Sequence, residues 1–222
     1  MWILRRFLRR AAVLPSDPDD AGIPVGDGQG HRQYVGDRWN SLGQLQLDFL
    51  INRGLRPEHV LLDVGCGSLR AGVRLIPYLA AGNYMGVDPN KALLDAGIQV
   101  ELGRLYQEKQ PEFLVTDAFE FARLSKRPDF AICQAVFMFL TDDQIKTCFL
   151  RLRDVAKSKT VFFATYWQTR EPQRLERDVF PYVWHGHTRR QMLEFGDPHW
   201  RSRYIGAWGH PRGQMMVEYR PA

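Results

Sequence analysis

The chain has 222 residues, 45% of them hydrophobic and 25% charged, with a formal net charge of +5. That length suits one domain with a substantial core, the balance is that of a soluble globular protein, and no apolar run approaches the roughly 20 residues that span a bilayer. The three cysteines, Cys66, Cys133 and Cys148, lie in or beside apolar segments, and their odd number and spacing argue for reduced cytosolic thiols rather than a disulfide framework or a zinc site.

The positive charge is unevenly placed. Arg5, Arg6, Arg9 and Arg10 carry four of the charges, so the body of the chain is near neutral and no specific nucleic-acid role is expected. At about 100° per residue these arginines share one side of a helix, while Ile3, Leu4, Phe7, Leu8 and Ala11 share the other. Residues 1–14 are therefore open to an amphipathic helix suited to an anionic membrane surface or a partner. The alternative is an arm that docks on its own domain or stays disordered, because so short a helix is marginal alone. Residues 15–30 are rich in Asp, Gly and Pro and read as a linker, dividing an arm over 1–30 from a domain over 31–222.

Within the domain, leucines and Phe49 give residues 40–53 a helical apolar surface, with Gly54 as its stop. A strand follows over 59–64, a helix over 70–79, a strand over 84–88 and a helix over 91–105. A shorter strand over 111–117 and another over 129–136 come next, then a helix to about 155 that starts at Thr141, where Asp142 and Asp143 complement the helix N-terminus. The fifth strand covers 159–166 and is rich in Val, Phe and Thr. Alternating strand and helix specifies a parallel sheet with right-handed crossovers. The tail differs: a short helix over 188–194, then strands over 200–207 and 214–219 joined by Trp208-Gly209-His210-Pro211-Arg212-Gly213, an antiparallel hairpin.

Chemistry concentrates after the first strand, in Leu61-Leu62-Asp63-Val64-Gly65-Cys66-Gly67-Ser68-Leu69-Arg70. Gly65 and Gly67 allow a tight turn and a close approach of ligand to main chain. The second strand ends in Asp88, and the whole is the layout of a nucleoside-binding βαβ unit. A dinucleotide fingerprint would want a glycine where Arg70 stands, and Asp63 would repel a pyrophosphate. An acid there suits a ligand carrying an ammonium or a sulfonium.

At this point the sequence resembles the class I S-adenosylmethionine-dependent methyltransferases, whose first motif reads apolar-apolar-acid-apolar-Gly-x-Gly-x-Gly. The match is good over Leu61 to Gly67 and departs at the third glycine, which is Leu69 here, with Gly72 following late. The resemblance implies a Rossmann-like, doubly wound α/β fold with a mostly parallel seven-stranded sheet closed by a C-terminal antiparallel hairpin. It implies S-adenosyl-L-methionine as cofactor. It gives Asp88 the ribose hydroxyls, Asp117 the adenine amino group, with a main-chain donor from Ala118 or Phe119 beside it, and Gly65, Cys66 and Gly67 the methionine part. Asp63 would help hold the ammonium, directly or through water, and Gln134, ending the fourth strand, would offer it a backbone contact. Asp117 could equally be an ordinary loop acid.

A sugar or alcohol nucleophile needs a base, and His185 and His187 are the candidates, since histidine titrates near neutral pH and their loop follows the fifth strand. They could instead cap the next helix or sit in solvent. No carboxylate at ligand spacing supports a metal site there. Tyr34, Trp39 and Trp184 are candidates for an acceptor pocket or lid, although single aromatics more often pack. The fourth strand ends in Cys133-Gln134-Ala135-Val136, not the Asn/Asp-Pro-Pro-aromatic run of exocyclic-amine nucleic-acid methyltransferases, and no Pro-Cys pair or paired-glutamate loop is present. The expectation is a cytoplasmic enzyme, open to peripheral membrane contact through residues 1–14, that methylates a small molecule or glycan, with oxygen preferred. The alternatives are a protein or RNA methyltransferase and a non-catalytic S-adenosylmethionine-binding interaction protein.

Overall fold

A computed structural model describes residues 24–25, 29–36, 38–175 and 184–222. Five strands, β1 (Leu61–Val64), β2 (Tyr84–Asp88), β3 (Glu112–Val115), β4 (Phe130–Cys133) and β5 (Val161–Tyr166), pair in parallel. The hairpin β6 (Trp200–Ala207) and β7 (Met215–Pro221) adds to β5 antiparallel. The spatial order is β6-β7-β5-β4-β1-β2-β3, the seven-stranded sheet expected. From β1 the chain winds outward through β2 and β3, then returns to place β4 on the other side of β1. That reversal opens a crevice at the carboxyl ends of β1 and β4, where α/β sheets bind ligands.

The helices are α1 (His31–Tyr34), α2 (Trp39–Asn52), α3 (Gly72–Tyr78), α4 (Lys91–Ala96), α5 (Leu105–Lys109), α6 (Asp142–Val155) and α7 (Arg189–Glu194). They cover both faces, so every residue of β1, β2, β4 and β5 is buried, as sheets covered on two sides require. Phe162 and Phe163 show how alternation divides the core. Phe162 joins Phe137, Phe149, Trp200 and Tyr219 beneath α6 and α7, whereas Phe163 joins Phe49, Leu75 and Trp208 beneath α2 and α3. Thr141 and Thr188 start α6 and α7 through reciprocal bonds with Gln144 and Gln191, the capping-box arrangement.

The elements expected from residue 40 onward all form, with shifted ends. The largest difference is the helix expected over 91–105. After α4 the backbone widens into a π-helical stretch, Gly97–Leu102, and breaks at Gly103, whose φ is +51°. A Cβ on Gly97 would lie 2.7 Å from the Ser68 carbonyl oxygen, so this segment is pressed against the glycine turn itself. The third strand ends at Val115 rather than Asp117. Two ribbons were not expected: Pro24–Val25 with Gln29–Gly30, and Gln173–Leu175 with Trp184–Gly186. The amphipathic helix considered over 1–14 lies outside the described residues, as does most of the linker over 15–30. Among the described residues no helix is long and apolar enough to cross a membrane.

Candidate functional site at the β1–β4 crevice

The turn after β1 is built on left-handed backbone. Gly65 and Gly67 have φ of +74° and +55°, and Leu69 has φ of +71°. Leu69 thus adopts the left-handed conformation that a glycine at the third motif position would take freely, at a steric cost of about 1–2 kcal/mol for an L-residue. Its side chain is fully buried against Gly72 and Gly97, and that burial holds the residue in place. A Cβ on Gly65 would collide with Val136 Cγ2, so the turn and the segment after β4 touch. Cys66 turns its thiol into the core against Gly86, where burial keeps it far above its ordinary pKa, so only its backbone is available to a ligand.

Two buried carboxylates flank this turn. Asp88 accepts from the Gly67 amide through Oδ2 and from the Asn90 amide through Oδ1, both at 2.8 Å. Burial raises its pKa, and those two amide bonds oppose the rise. Each oxygen retains acceptor capacity. Asp63 accepts from the Tyr84 hydroxyl at 2.7 Å. Burial pushes it up to about 6, Asp88 adds to that, and the Tyr84 bond and the Arg70 charge pull the other way.

The segment before α2 lies over the turn. Ser68 Oγ donates to the His31 carbonyl, and a Cβ on Gly67 would meet Val35 Cγ1 at 2.7 Å. Glu101, presented by the π-helical stretch, receives the His31 ring Nε2 at 2.7 Å and two bonds from Arg32. Trp39 is buried here with the Arg32 guanidinium over its ring, so it packs the flap rather than lining a pocket.

Arg70 connects the two sides of the crevice. It donates to the Val35 carbonyl at 2.7 Å and to Gln134 Oε1 at 2.9 Å. Gln134 donates to Gln214 Oε1, which also receives the Thr165 hydroxyl, while Thr165 Oγ1 accepts the Ala135 amide. This relay fixes Ala135 at φ +58°, the strained turn that brings Val136 onto Gly65. The Gln134 side chain is therefore committed, which leaves its backbone for a ligand. His210, in the β6–β7 turn, closes the network 3.4 Å from Gln134. Burial and the nearby Arg70, Arg212 and Arg38 hold it down to about 4, so it is neutral. The sequence placed His210 only in a turn. Its partner Gln134 lies 76 positions earlier, a separation that no local pattern signals.

The remaining candidates separate. Asp117 and Ala118 lie two and three residues beyond β3 and are exposed. Asp117 makes no hydrogen bond among the described residues, while the Ala118 amide donates to Thr116 Oγ1 at 3.2 Å. His187 is buried, with Nε2 3.3 Å from the Phe137 carbonyl oxygen and Nδ1 3.7 Å from Asp142. Burial lowers its pKa and keeps it neutral, but the carbonyl requires the proton on Nε2, so this ring braces the segment after β4. His185 is half-buried, its ring 6.4 Å from that of His187, with no side-chain hydrogen bond among the described residues. Trp184 packs edge-on to Phe139 and near Trp167, whose indole Nε1 is buried with no partner among the described residues. No group of three or more His, Cys, Asp or Glu side chains among the described residues could hold a metal ion.

No protein-family model matches the chain. Solved structures do. The magnesium protoporphyrin IX methyltransferase of Synechocystis PCC 6803 with bound S-adenosylmethionine superposes with a TM-score of 0.60 over 89% of this chain and 87% of its own, at 17% identity. The glycopeptide N-methyltransferase MtfA with S-adenosylhomocysteine gives 0.64 over 81% and 89%, at 11% identity. The PH0226 protein of Pyrococcus horikoshii OT3 gives 0.65 over 83% and 94%, at 15% identity. At such identities the agreement lies in the path of the chain. This protein has the class I S-adenosylmethionine-dependent methyltransferase fold.

Proposed function

We propose that the protein transfers a methyl group from S-adenosylmethionine to a small molecule or glycan, at oxygen. The observation that carries the reading is the pair of buried carboxylates, Asp63 and Asp88, on either side of a left-handed glycine turn. Two acids there repel a pyrophosphate and favour a ligand with an ammonium, a sulfonium and a ribose diol. The residues fit that cofactor: amide-anchored Asp88 can accept both ribose hydroxyls, and Gly65 and Gly67 admit the chain of the methionine part without a Cβ in the way.

The cofactor supplies an electrophilic methyl group on sulfur, with a neutral thioether as the leaving group. The protein's task is then to align the nucleophile, exclude water and remove a proton where the acceptor is a hydroxyl. Asp63 pairs with the ammonium, the Gln134 backbone contacts it, and Asp117 and Ala118 meet the adenine. For Ala118 this means exchanging its bond to Thr116. The aromatic group of Phe139, Trp167 and Trp184 near the ends of β4 and β5 supports an acceptor with a ring or sugar face, and Trp167 Nε1 offers it a donor. His185, half-buried, is the better base, because the His187 ring is buried and held against the Phe137 carbonyl.

Calorimetry with S-adenosylmethionine and with NAD tests the cofactor: binding of NAD alone would overturn the reading. A screen of acceptor classes with methyl-labelled cofactor tests the rest. Transfer to amines or proteins and not to hydroxyls would remove the oxygen assignment.

A further inference from the structure

We infer that Tyr84 is a positioning residue for the cofactor site, its hydroxyl holding Asp63 as a carboxylate ready to pair with the ammonium of S-adenosylmethionine. The inference rests on the cofactor reading above and extends it to a residue remote from the glycine turn in sequence.

The geometry comes from the sheet. Leu61 registers with Tyr84 and Asp63 with Gly86, so Tyr84 lies two positions back on the neighbouring strand and on the same face as Asp63. A long side chain spans that diagonal. Tyr84 Oη reaches Asp63 Oδ2 at 2.7 Å, with the two residues 1% and 3% exposed. Packing does not require the hydroxyl. The ring meets Phe113 edge-on, as a phenylalanine would, whereas a buried hydroxyl is costly unless bonded. Gly72 leaves room for it: a Cβ there would come within 3.2 Å of Tyr84 Oη.

The charges around Asp63 explain why one donor matters. Burial is the largest influence and favours the protonated acid, and Asp88 on β2 works in the same direction. Tyr84 on β2 and Arg70 after the turn oppose them. Burial and these same acids raise the Tyr84 hydroxyl and the Cys66 thiol, so Tyr84 keeps its proton and acts only as donor, and Cys66 adds no charge. With Asp63 at about 6, the carboxylate prevails at neutral pH by a narrow margin. An α-amino group loses its charge near pH 8. Affinity should therefore be bell-shaped in pH, with Asp63 setting the acid limb and the ligand's amine the alkaline limb.

The test is the dissociation constant for S-adenosylmethionine, measured by calorimetry from pH 5 to 9, for the native chain, Tyr84→Phe and Asp63→Asn. In the native chain affinity should fall about tenfold per unit below the acid midpoint. Tyr84→Phe should move that midpoint up by about one unit or more, since hydrogen bonds to charged groups are worth that much, and leave the alkaline limb in place. Asp63→Asn should abolish the acid limb. Equal weakening at every pH in Tyr84→Phe, or an unmoved acid limb, would reduce Tyr84 to a packing residue. If Tyr84→Phe does not fold, proton NMR of the native Tyr84 hydroxyl decides: a hydroxyl resonance that does not shift as pH passes through the acid midpoint overturns the inference. A native chain that binds no S-adenosylmethionine at any pH sinks the cofactor reading itself, an outcome visible before any variant is compared.

Discussion

On the β1–β2 side of the crevice, a buried carboxylate is held by main-chain amides close by in sequence: Asp88 takes Asn90 two residues on and Gly67 twenty-one residues back. On the β4–β7 side, polar side chains are held by one another across long distances, Arg70 to Gln134 over 64 positions and Gln134 to Gln214 over 80. The first arrangement presents acceptors to a ligand. The second uses its acceptors internally and presents backbone. The first wall of the crevice follows from a local motif, whereas the second is assembled from segments that meet only in the finished fold.

The sharpest way to break this contrast is Asp88→Ala. Losing two hydrogen bonds to a charged acceptor, at about 1.5–3 kcal/mol each, should weaken S-adenosylmethionine binding roughly 100-fold or more. Unchanged affinity in calorimetry would show that the β2 acid does not meet the ribose.

Asp63→Asn separates stability from binding on the same side. The folded-state pKa of Asp63 is raised from 3.8 to about 6, so its contribution to stability is present at low pH and lost as pH rises through about 6. By linkage the buried carboxylate costs about 3 kcal/mol at most at pH 8. The variant should gain about 1–3 kcal/mol in urea unfolding at pH 8 and little at pH 4, while losing cofactor affinity. A destabilised variant at pH 8 would mean that the amide is less well accommodated than the charge.

Leu69→Gly asks which term governs the turn. Glycine would relieve the left-handed strain of about 1–2 kcal/mol, but removing a buried leucine costs about 2–5 kcal/mol. A net loss of about 1–3 kcal/mol in denaturant unfolding is expected. A gain would show that strain, and not burial, dominates at this position.

On stability the smallest effects concern the histidines. His187→Ala should cost about 1–2 kcal/mol of stability through the lost bond to the Phe137 carbonyl. His185→Ala should leave unfolding unchanged and lower kcat for a hydroxyl acceptor about 100-fold or more. Full turnover after both changes would remove histidine as base.

The sequence displayed the glycine-turn side well because its signals are local: an apolar run, an acid, two glycines, then a second apolar run ending in Asp88. It did not display the strain at Leu69, which needs a left-handed backbone where a bulky residue stands. Nor did it display the π-helical stretch after α4, where one helix was expected over 91–105. The close approach of Gly97 to Ser68 depends on how two segments pack. The histidine pair was visible as chemistry, but its burial was not, since Phe137 and Asp142 reach His187 from another part of the chain.

What the sequence determined by itself was the sheet: periodicity, strand-ending acids and the late hairpin specified a seven-stranded α/β layout, because those patterns act over a few residues. What only the tertiary structure decided was the electrical state of the site. Burial raises Asp63 and Asp88, Tyr84 restrains Asp63 from the neighbouring strand, and Arg70 links the flap to the end of β4. These effects come from exclusion of water and from contacts between distant residues, which exist only once the strands are side by side.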